Sequence, residues 1–260
     1  MKNFLKKIVA EKRREIAAAK KRMPVEKLKK GIKKSRKSFR KALQKKNRVA
    51  LIAEIKAASP SKGIIREKFN LKQIAGLYDK YADAISVLTD RKFFKGSLEA
   101  LEVVSKITKK PVLRKDFIID KYQIYEARVY GADAILLIAN ILTQKQINEF
   151  ISIANSFGMD CLVEVDSFAG LKKVLATKTG ILGINNRNLN TFAVDKNKVQ
   201  KFAKKIPKSK LKKLIVVAES GYDSRAGVEK IKGIADAVLI GTSIMVSRNI
   251  ESKLKELSGK

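Results

Sequence analysis

Residues 51–63 read LIAEIKAASPSKG, an apolar run that turns polar at its end. The run is interrupted by Glu54, and Lys56 follows two residues later, so on a strand both side chains project to the same face. An ionisable residue inside a buried strand costs free energy unless it is paired or functional. Residues 59–63 then supply hydroxyl groups, backbone amides and a cation, which suit an anion. The stretch predicts a strand whose carboxyl end carries chemistry.

Outward from this stretch, short apolar runs rich in β-branched residues alternate with amphipathic stretches. The predicted strands lie at 49–55, 84–88, 111–114, 133–138, 161–165, 180–184, 214–218 and 236–240. The predicted helices lie near 70–80, 97–109, 120–130, 143–157, 167–177, 195–205, 223–232 and 249–258. Eight strands that are each followed by a helix predict an α/β fold of the (β/α)8 TIM-barrel type. A seven-stranded or doubly wound sheet remains the alternative if one assignment is wrong.

Residues 1–48 predict a helical extension that precedes the barrel. Pro24 suits the first turn of a second helix, and Phe39 and Leu43 stand four apart on the apolar face of a further helical stretch. The segment has too few apolar residues for a core of its own, so we expect it to pack on the barrel. We therefore predict a single domain over 1–260, with the barrel at 49–260.

The formal net charge of the chain is +33, and it is unevenly distributed. Residues 1–48 hold 21 Lys and Arg against three Glu, or +18, which leaves +15 for the rest. A basic segment of this kind can bind nucleic acid or an anionic membrane surface. Basic residues also occur along the whole chain, and neither zinc-finger spacing nor an aromatic-rich ribonucleoprotein motif is present. We therefore expect nucleic-acid contact only as a non-specific consequence of the charge.

The residue types that are missing narrow the chemistry. The chain has no histidine and a single cysteine, Cys161, which excludes Ser-His-Asp and Cys-His catalysis and gives no indication of a metal site. Acid–base chemistry must therefore use Lys, Glu, Asp or Tyr. No apolar run approaches the roughly 18 residues of a membrane span, and the N-terminus lacks the apolar core of a signal peptide. We expect a cytoplasmic protein without membrane contact, and we favour a monomer.

Polar side chains follow most of the predicted strands, at the ends where (β/α)8 enzymes carry their active sites. These residues are Glu54, Lys56, Thr89, Asp90, Lys115, Asp116, Glu164, Asn185, Arg187, Glu219 and Ser220. Charged groups that converge on one mouth have coupled pKa values. Each residue alone is compatible with a structural ion pair, but together they predict a site.

The last two strand ends predict a phosphate site. Gly241, Thr242 and Ser243 follow an apolar strand and could open a short helix whose free amides face an anion. Ser220 and Gly221 supply the neighbouring loop, and loops after the seventh and eighth strands frequently bind phosphate in this fold. These glycines could instead serve only as turn residues. We favour a small phosphorylated molecule as the ligand.

Seven short motifs stand in order at successive strand ends. They are IAEIKAASPSKG at 52–63, SVLT at 86–89, LRKDF at 113–117, LVEV at 162–165, GINNRNL at 183–189, AESG at 218–221 and LIGTS at 239–243. In this register, over roughly residues 1–250, the chain resembles the indole-3-glycerol-phosphate synthase family. The resemblance implies closure of the indole ring of 1-(o-carboxyphenylamino)-1-deoxyribulose 5-phosphate, with loss of carbon dioxide and water. It implies neither a metal nor an organic cofactor.

The resemblance also implies roles for particular residues. Lys115 would be the acid near the ribulose carbonyl, and Lys56 would hold the substrate carboxylate or act as a second acid. Glu164 would be the base for the late proton removal, while Glu54 would orient the lysines and stabilise the developing iminium charge. We expect burial beside other cations to lower the pKa of Lys115.

The remaining implied residues surround this group. Asn185 would assist catalysis near the substrate hydroxyls together with Arg187, and Glu219 would add a further acid. The walls for the anthranilate ring would be Phe94, Phe117, Leu136 and Leu189, for which core packing is an equal alternative. The phosphate would be held by Ser59, Ser220, Gly221, Gly241 and Thr242.

Two other functions are compatible with a basic barrel. One is another phosphate-binding barrel enzyme, similar to phosphoribosylanthranilate isomerase or to ribulose-phosphate epimerase, although the epimerase needs histidine metal ligands that are absent here. The other is a nucleic-acid-binding protein on a barrel scaffold. That protein would have lost Glu54, Lys115 or Glu164, and all three are present.

Overall fold

The computed structural model describes residues 4–67, 69–189 and 191–259, and it contains a closed barrel of eight parallel strands. In chain order the strands are β1 (Ala50–Ile55), β2 (Ala58–Ser59), β3 (Gly63–Ile64), β4 (Ala84–Leu88), β5 (Val112–Lys115), β6 (Ala134–Ile138), β7 (Asp160–Val165), β8 (Ile181–Asn185), β9 (Ile215–Glu219) and β10 (Ala237–Ile240). The barrel order is β1-β4-β5-β6-β7-β8-β9-β10, and β10 pairs back onto β1. The predicted (β/α)8 barrel is confirmed. The short pair β2–β3 is an antiparallel hairpin outside the barrel that sequence patterns did not predict.

Helices alternate with the barrel strands. They are α1 (Phe4–Arg22), α2 (Val25–Lys30), α3 (Phe39–Leu43), α4 (Leu71–Tyr81), α5 (Arg91–Phe94), α6 (Leu98–Ile107), α7 (Lys121–Val129), α8 (Gln144–Ser156), α9 (Phe168–Leu175), α10 (Lys198–Ala203), α11 (Lys208–Leu211), α12 (Arg225–Glu229), α13 (Thr242–Met245) and α14 (Ile250–Ser258). The single-turn helices α5 and α11 were not predicted, because one turn is too short to show a helical period. Within the described ranges, no helix is both long and apolar enough to cross a membrane.

Side-chain caps fix where the outer helices begin. The side chains of Asn70, Ser97 and Ser167 each accept a hydrogen bond from a backbone N–H in the first turn of α4, α6 and α9. Asp120 and Thr143 form capping boxes at the starts of α7 and α8. Each cap satisfies an N–H group that has no partner within the helix, which stabilises the helix by roughly 1 kcal/mol.

The strands alternate between two apolar layers. On β1, Ala50 and Ile52 face the barrel interior, whereas Leu51 and Ala53 belong to the layer between the strands and the outer helices. Because both faces of each strand are buried, the strand sequences are continuous apolar runs. This pattern made the strands predictable. The interior is filled by residues such as Ile52, Leu113, Leu162, Val217 and Leu239. Polar inward residues are consequently concentrated at the carboxyl ends of the strands.

The extension packs against both ends of the barrel. Phe39 and Leu43 of α3 join the interior cluster at the amino ends of the strands, and Ile8 of α1 joins it near the mouth. α2 packs on α7 along the side. Helix was predicted throughout residues 1–48, but residues 31–38 contain none because they run along the outside of the barrel, where the Ser35 N–H donates to the Phe157 carbonyl. The single-domain organisation over 1–260 stays a prediction.

Candidate active site

Charged side chains from four barrel strands meet at one mouth. Lys115 on β5 lies at the centre, with its Nζ 3.5 Å from Glu54 Oε2 on β1 and 3.9 Å from Glu219 Oε2 on β9. The other Glu54 oxygen, Oε1, lies 2.7 Å from Lys56 Nζ. Glu164 on β7 completes the group, and the three glutamates are only 1–2% exposed. Glu54 therefore joins two ammonium groups, and five of the predicted site residues lie together.

Two glycines leave room for these carboxylates. A Cβ atom on Gly183 of β8 would collide with Glu219 Oε1, and a Cβ atom on Gly241 would collide with Glu54 Oε1. A side chain at either position would push a buried carboxylate out of its place. Glycine at positions 183 and 241 therefore shapes the site. Gly241 is also predicted to contact the phosphate.

The prediction that the pKa of Lys115 is lowered is wrong. Burial lowers the pKa of this ammonium, but the carboxylates of Glu54, Glu164 and Glu219 raise it by more, so the pKa lies above its ordinary value. The neighbours are mainly anions rather than cations. Conversely, burial raises the pKa of Glu54, and Lys56 and Lys115 more than offset this, so its pKa is lowered. Lys115 is thus a charged proton donor, and Glu54 stays ionised beside it.

Glu219 behaves differently from Glu54. Burial and the adjacent Glu164 carboxylate together raise the pKa of Glu219 well above its ordinary value, although Lys115 opposes the shift. A like charge beside a carboxyl group disfavours its ionisation, so Glu219 keeps its proton more readily than an ordinary glutamate does. The raised pKa of Glu219 makes it a candidate proton donor beside the other carboxyl groups of the mouth.

The β8 end carries Asn185 and Arg187. Asn185 is paired in register with Glu219, so its side chain faces the same mouth, and its Oδ1 accepts the Arg187 N–H at 2.9 Å. The Arg187 guanidinium donates to the Phe192 carbonyl at 2.8 Å within its own loop. Asn185 thus lies beside the charged group, while Arg187 also holds the loop that follows β8.

The predicted ring walls form one apolar surface. The rings of Phe94 and Phe117 lie 6.0 Å apart between centroids. Both residues, together with Leu136 and Leu189, belong to the cluster that fills the barrel and its mouth. Two of the four wall residues are therefore in ring contact, and all four lie in the same apolar cluster.

The predicted phosphate loops are neighbours because β9, β10 and β1 are adjacent strands. Ser220 and Gly221 both have positive φ, at 67° and 85°, and the Asn186 side-chain amide donates to the Ser220 carbonyl at 3.0 Å. A positive φ is unusual for serine and marks a constrained turn. Gly241 precedes α13 directly, so the predicted short helix at Thr242 is confirmed.

Ser59 lies in the β2–β3 hairpin, and this hairpin packs against α5. The connection to those loops comes from Arg66 after the hairpin. Its Nε donates to the Met245 carbonyl at 2.9 Å and its Nη2 to the Ser247 carbonyl at 2.7 Å, both at the end of α13. A phosphate contact by Ser59 stays a prediction.

Lys12 of α1 was not predicted to be near the site. It is 3% exposed, and its Nζ lies 2.9 Å from Asp90 Oδ2 and 3.0 Å from Asp116 Oδ1. Burial lowers the pKa of Lys12, but Asp116 and Asp90 raise it by more, to above its ordinary value. The sequence did contain a signal, because Ile8, Lys12 and Ile16 share one buried helical face.

An aromatic group from the extension spans the mouth. The centroid of the Phe4 ring lies 5.4 Å from that of Phe93, in α5 after β4, and 5.4 Å from that of Phe192, in the loop after β8. Both contacts are edge-on. Strands β4 and β8 stand on opposite sides of the barrel. The start of α1 therefore bridges the mouth, which no single-residue pattern could indicate. In the part of the chain that the structure describes, no cluster of three acidic or cysteine side chains is arranged to hold a metal ion.

Comparison with known sequences gives a consistent family. The family model for indole-3-glycerol phosphate synthase matches residues 5–257. An indole-3-glycerol phosphate synthase of Caldanaerobacter subterraneus subsp. tengcongensis is 46% identical over 259 residues, which cover 99% of this chain and 98% of that relative. The tryptophan biosynthesis protein TrpCF of Buchnera aphidicola subsp. Schizaphis graminum is 41% identical over 98% of this chain. The chain spans 55% of the length of that relative.

Comparison with solved structures gives the same fold. A variant of the tryptophan synthase alpha-subunit from Pyrococcus furiosus matches with a TM-score of 0.60 and 18% identity, over 81% of this chain and 98% of that chain. At this identity, the likeness shows the barrel fold alone.

Proposed function

This chain belongs to the indole-3-glycerol phosphate synthase family, and we propose that it converts 1-(o-carboxyphenylamino)-1-deoxyribulose 5-phosphate to indole-3-glycerol phosphate, carbon dioxide and water. The observation that carries the proposal is the charged Lys115, held 3.5 Å from Glu54 and 3.9 Å from Glu219 beside an apolar wall. This arrangement supplies a proton donor, carboxylates for a developing cation and a surface for an aromatic ring. The reaction makes the protein a carbon–carbon lyase.

In the first step a carbon–carbon bond forms between the aryl carbon that carries the carboxylate and the ribulose carbonyl carbon. Lys115 gives a proton to the carbonyl oxygen, which becomes a hydroxyl group. The aryl amine becomes an iminium cation, whose charge the ionised Glu54 stabilises at close range in a buried site. Lys56, held 2.7 Å from Glu54, is placed to pair with the substrate carboxylate.

The second step breaks the bond between the ring and its carboxylate. Carbon dioxide leaves, and the bonding electron pair neutralises the iminium cation. This step needs no proton from the protein. The benzene ring regains its aromaticity when carbon dioxide leaves.

The third step removes the hydroxyl group as water, together with a proton from the adjacent carbon, and makes the five-membered ring aromatic. An acid must protonate the leaving hydroxyl group, and a base must take the proton that is released from the intermediate. The raised pKa of Glu219 supports a role as an acid, and Glu164 supplies a second carboxyl group at the same mouth. We assign Glu164 as the base and Glu219 as a further acid, with Asn185 beside them.

The phosphate end of the substrate fits the loops after β9 and β10. Ser220 and Gly221 turn their backbone in the left-handed region there, and Gly241 and Thr242 open α13 beside them. Backbone N–H groups in such turns bind anions. The loops lie across the mouth from the Phe94 wall, so one molecule can span both. The cytoplasmic location and the monomeric state stay predictions.

The test of this function is direct. Purified protein, mixed with the carboxyphenylamino substrate and no added metal or organic cofactor, is expected to give a fluorescent indole product and one equivalent of carbon dioxide. A preparation that has been treated with a chelator should be equally active. Absence of indole formation by folded protein would refute the proposal.

A further inference from the structure

The end of the barrel opposite the mouth holds a basic cavity. It has a volume of about 580 Å3 and lies at the amino ends of β1, β9 and β10. Its charged lining residues are Arg40, Lys45, Lys46, Arg48, Lys212, Lys232 and Asp236. Six cations and one carboxylate thus surround one concave surface. The proposed synthase reaction uses none of them, because its site lies at the carboxyl ends of the same strands.

Part of this charge is held in place by the fold. The Arg48 guanidinium donates to both oxygens of Asp83 at 2.6 Å, and Lys45 Nζ lies 3.7 Å from the same carboxylate. Arg40 donates to the carbonyls of Gly180 and Lys213, at 2.6 and 2.7 Å. These contacts hold Arg40, Lys45 and Arg48 at the rim of the cavity, where the Asp83 carboxylate offsets part of their charge.

The remaining lysines of the cavity are exposed and uncompensated. Among residues 4–67, 69–189 and 191–259, no carboxylate lies within 4.0 Å of the ammonium groups of Lys46, Lys212 or Lys232. The lysines of the mouth, by contrast, face buried glutamates. Three free cations around one cavity are available to an external anion.

The positive charge continues beyond the cavity. Residues 33–48 contain nine Lys and Arg and no acidic residue, and residues 204–213 contain six Lys and no acidic residue. The bond from Arg40 to the Lys213 carbonyl joins the two segments. We call these two segments and Lys232 the basic face. It holds 16 Lys and Arg residues, more positive charges than a single small oligophosphate could neutralise.

We propose that the basic face binds the phosphodiester backbone of nucleic acid without reading its sequence. Many cations that extend past one cavity, in two segments joined at Arg40 and Lys213, match a phosphate polymer, and such binding derives its affinity from release of counterions. The cavity lining contains no aromatic side chain on which a base could stack. None of the large exposed apolar side chains of the described residues lies in the lining, so an apolar anchor for a protein partner is missing.

The proposal is tested by fluorescence anisotropy with a labelled 20-base-pair DNA duplex at several salt concentrations. Wild-type protein is expected to bind with micromolar affinity at low salt, with a steep linear fall of log K against log salt concentration. The triple variant Lys46→Glu, Lys212→Glu, Lys232→Glu should bind at least about tenfold more weakly, with a salt slope that is smaller by about three.

The matched control reverses three lysines at the other end of the molecule. Lys72, Lys121 and Lys145 are exposed in the first turns of α4, α7 and α8, where a carboxylate is compatible with the helix dipole. The variant Lys72→Glu, Lys121→Glu, Lys145→Glu has the same net charge as the test variant. It should keep its affinity within about threefold of the wild type, because distant exposed charges are screened.

Three results would overturn the proposal. They are absence of DNA binding by the wild type at low salt, equal weakening by both triple variants, and equal competition by polyglutamate or tripolyphosphate at the same charge concentration. Thermal unfolding verifies that both variants are folded. Indole formation should be unchanged in the test variant, so failure of the synthase assay in all proteins would refute the proposed function and leave the DNA result standing.

Discussion

The two ends of the barrel use carboxylates in different ways. At the amino ends, Asp83, Asp133 and Asp236 each stand in an Ala-Asp-Ala triplet just before a strand. Their side chains accept the backbone N–H groups of Leu51, Val112 and Val216, at 2.9, 3.0 and 2.7 Å. Each aspartate thereby fixes the start of a neighbouring strand.

At the carboxyl ends, Glu54, Glu164 and Glu219 face lysine ammonium groups and one another instead. The negative charges of the glutamates are offset by lysines within the site, and charged groups of a substrate can take the place of some of these partners. Asp83 and Asp133 are nearly as buried as the three glutamates, yet they stabilise the fold, whereas the glutamates remain available for chemistry. The difference follows from what each oxygen contacts rather than from burial.

The largest expected effect is at the mouth. Lys115→Ala and Glu164→Gln should each lower turnover by at least about 100-fold, because each removes a group that transfers a proton. Steady-state kinetics by indole fluorescence provides the measurement, and circular dichroism should show that both variants are folded. The exposed Lys72→Ala serves as the control. Near-normal turnover in both mouth variants would show that these residues lack the proposed roles.

At the base, removal of a carboxylate should lower stability and leave catalysis intact. Asp133 is 2% exposed, and it also accepts the Ser35 hydroxyl at 2.6 Å and lies 3.2 Å from the Arg128 guanidinium. Asp133→Ala leaves these donors unsatisfied, so the free energy of unfolding should fall by about 3 kcal/mol.

Urea denaturation measures this loss. The exposed Asp223→Ala is the matched control and should change stability by less than about 0.5 kcal/mol. A large fall in turnover of folded Asp133→Ala protein would contradict the division between the two ends.

The strands and their polar ends were predictable because buried parallel strands are continuous apolar runs and the topology brings their carboxyl ends together. The direction of the Lys115 pKa shift was not predictable, because it depends on three carboxylates from three other strands. The Ala-Asp-Ala aspartates were also overlooked as a group. In sequence they differ from the mouth glutamates only in preceding a strand instead of ending one.

Asp116 tests the limits of this comparison, because it lies at the mouth end but contacts structural partners. Burial raises its pKa, but Arg114 and Lys12 lower it by more, to about 2. The folded-state pKa is below the unfolded value near 4, so this stabilisation is present above pH ~4 and is lost as the pH falls towards 2. The expected loss is about 2 kcal/mol.

Urea denaturation at pH 5 and pH 3 measures this effect. Asp116→Asn should be less stable than the wild type at pH 5, and the two should converge as the pH falls. Parallel stability curves for the two proteins would show that Asp116 contributes nothing to the acid sensitivity.

The smallest expected effect concerns the aromatic bridge over the mouth. Phe4→Ala removes two edge-on ring contacts, with Phe93 and Phe192, which are each worth about 1 kcal/mol. If the bridge helps to hold the substrate, KM should rise about fivefold while kcat changes little. The control is Phe157→Ala, which removes the edge-on contact with Tyr125 on the outside of the barrel and should leave KM unchanged. An equal KM for the wild type and Phe4→Ala would mean that the extension only stabilises the fold, as the aspartates of the base do.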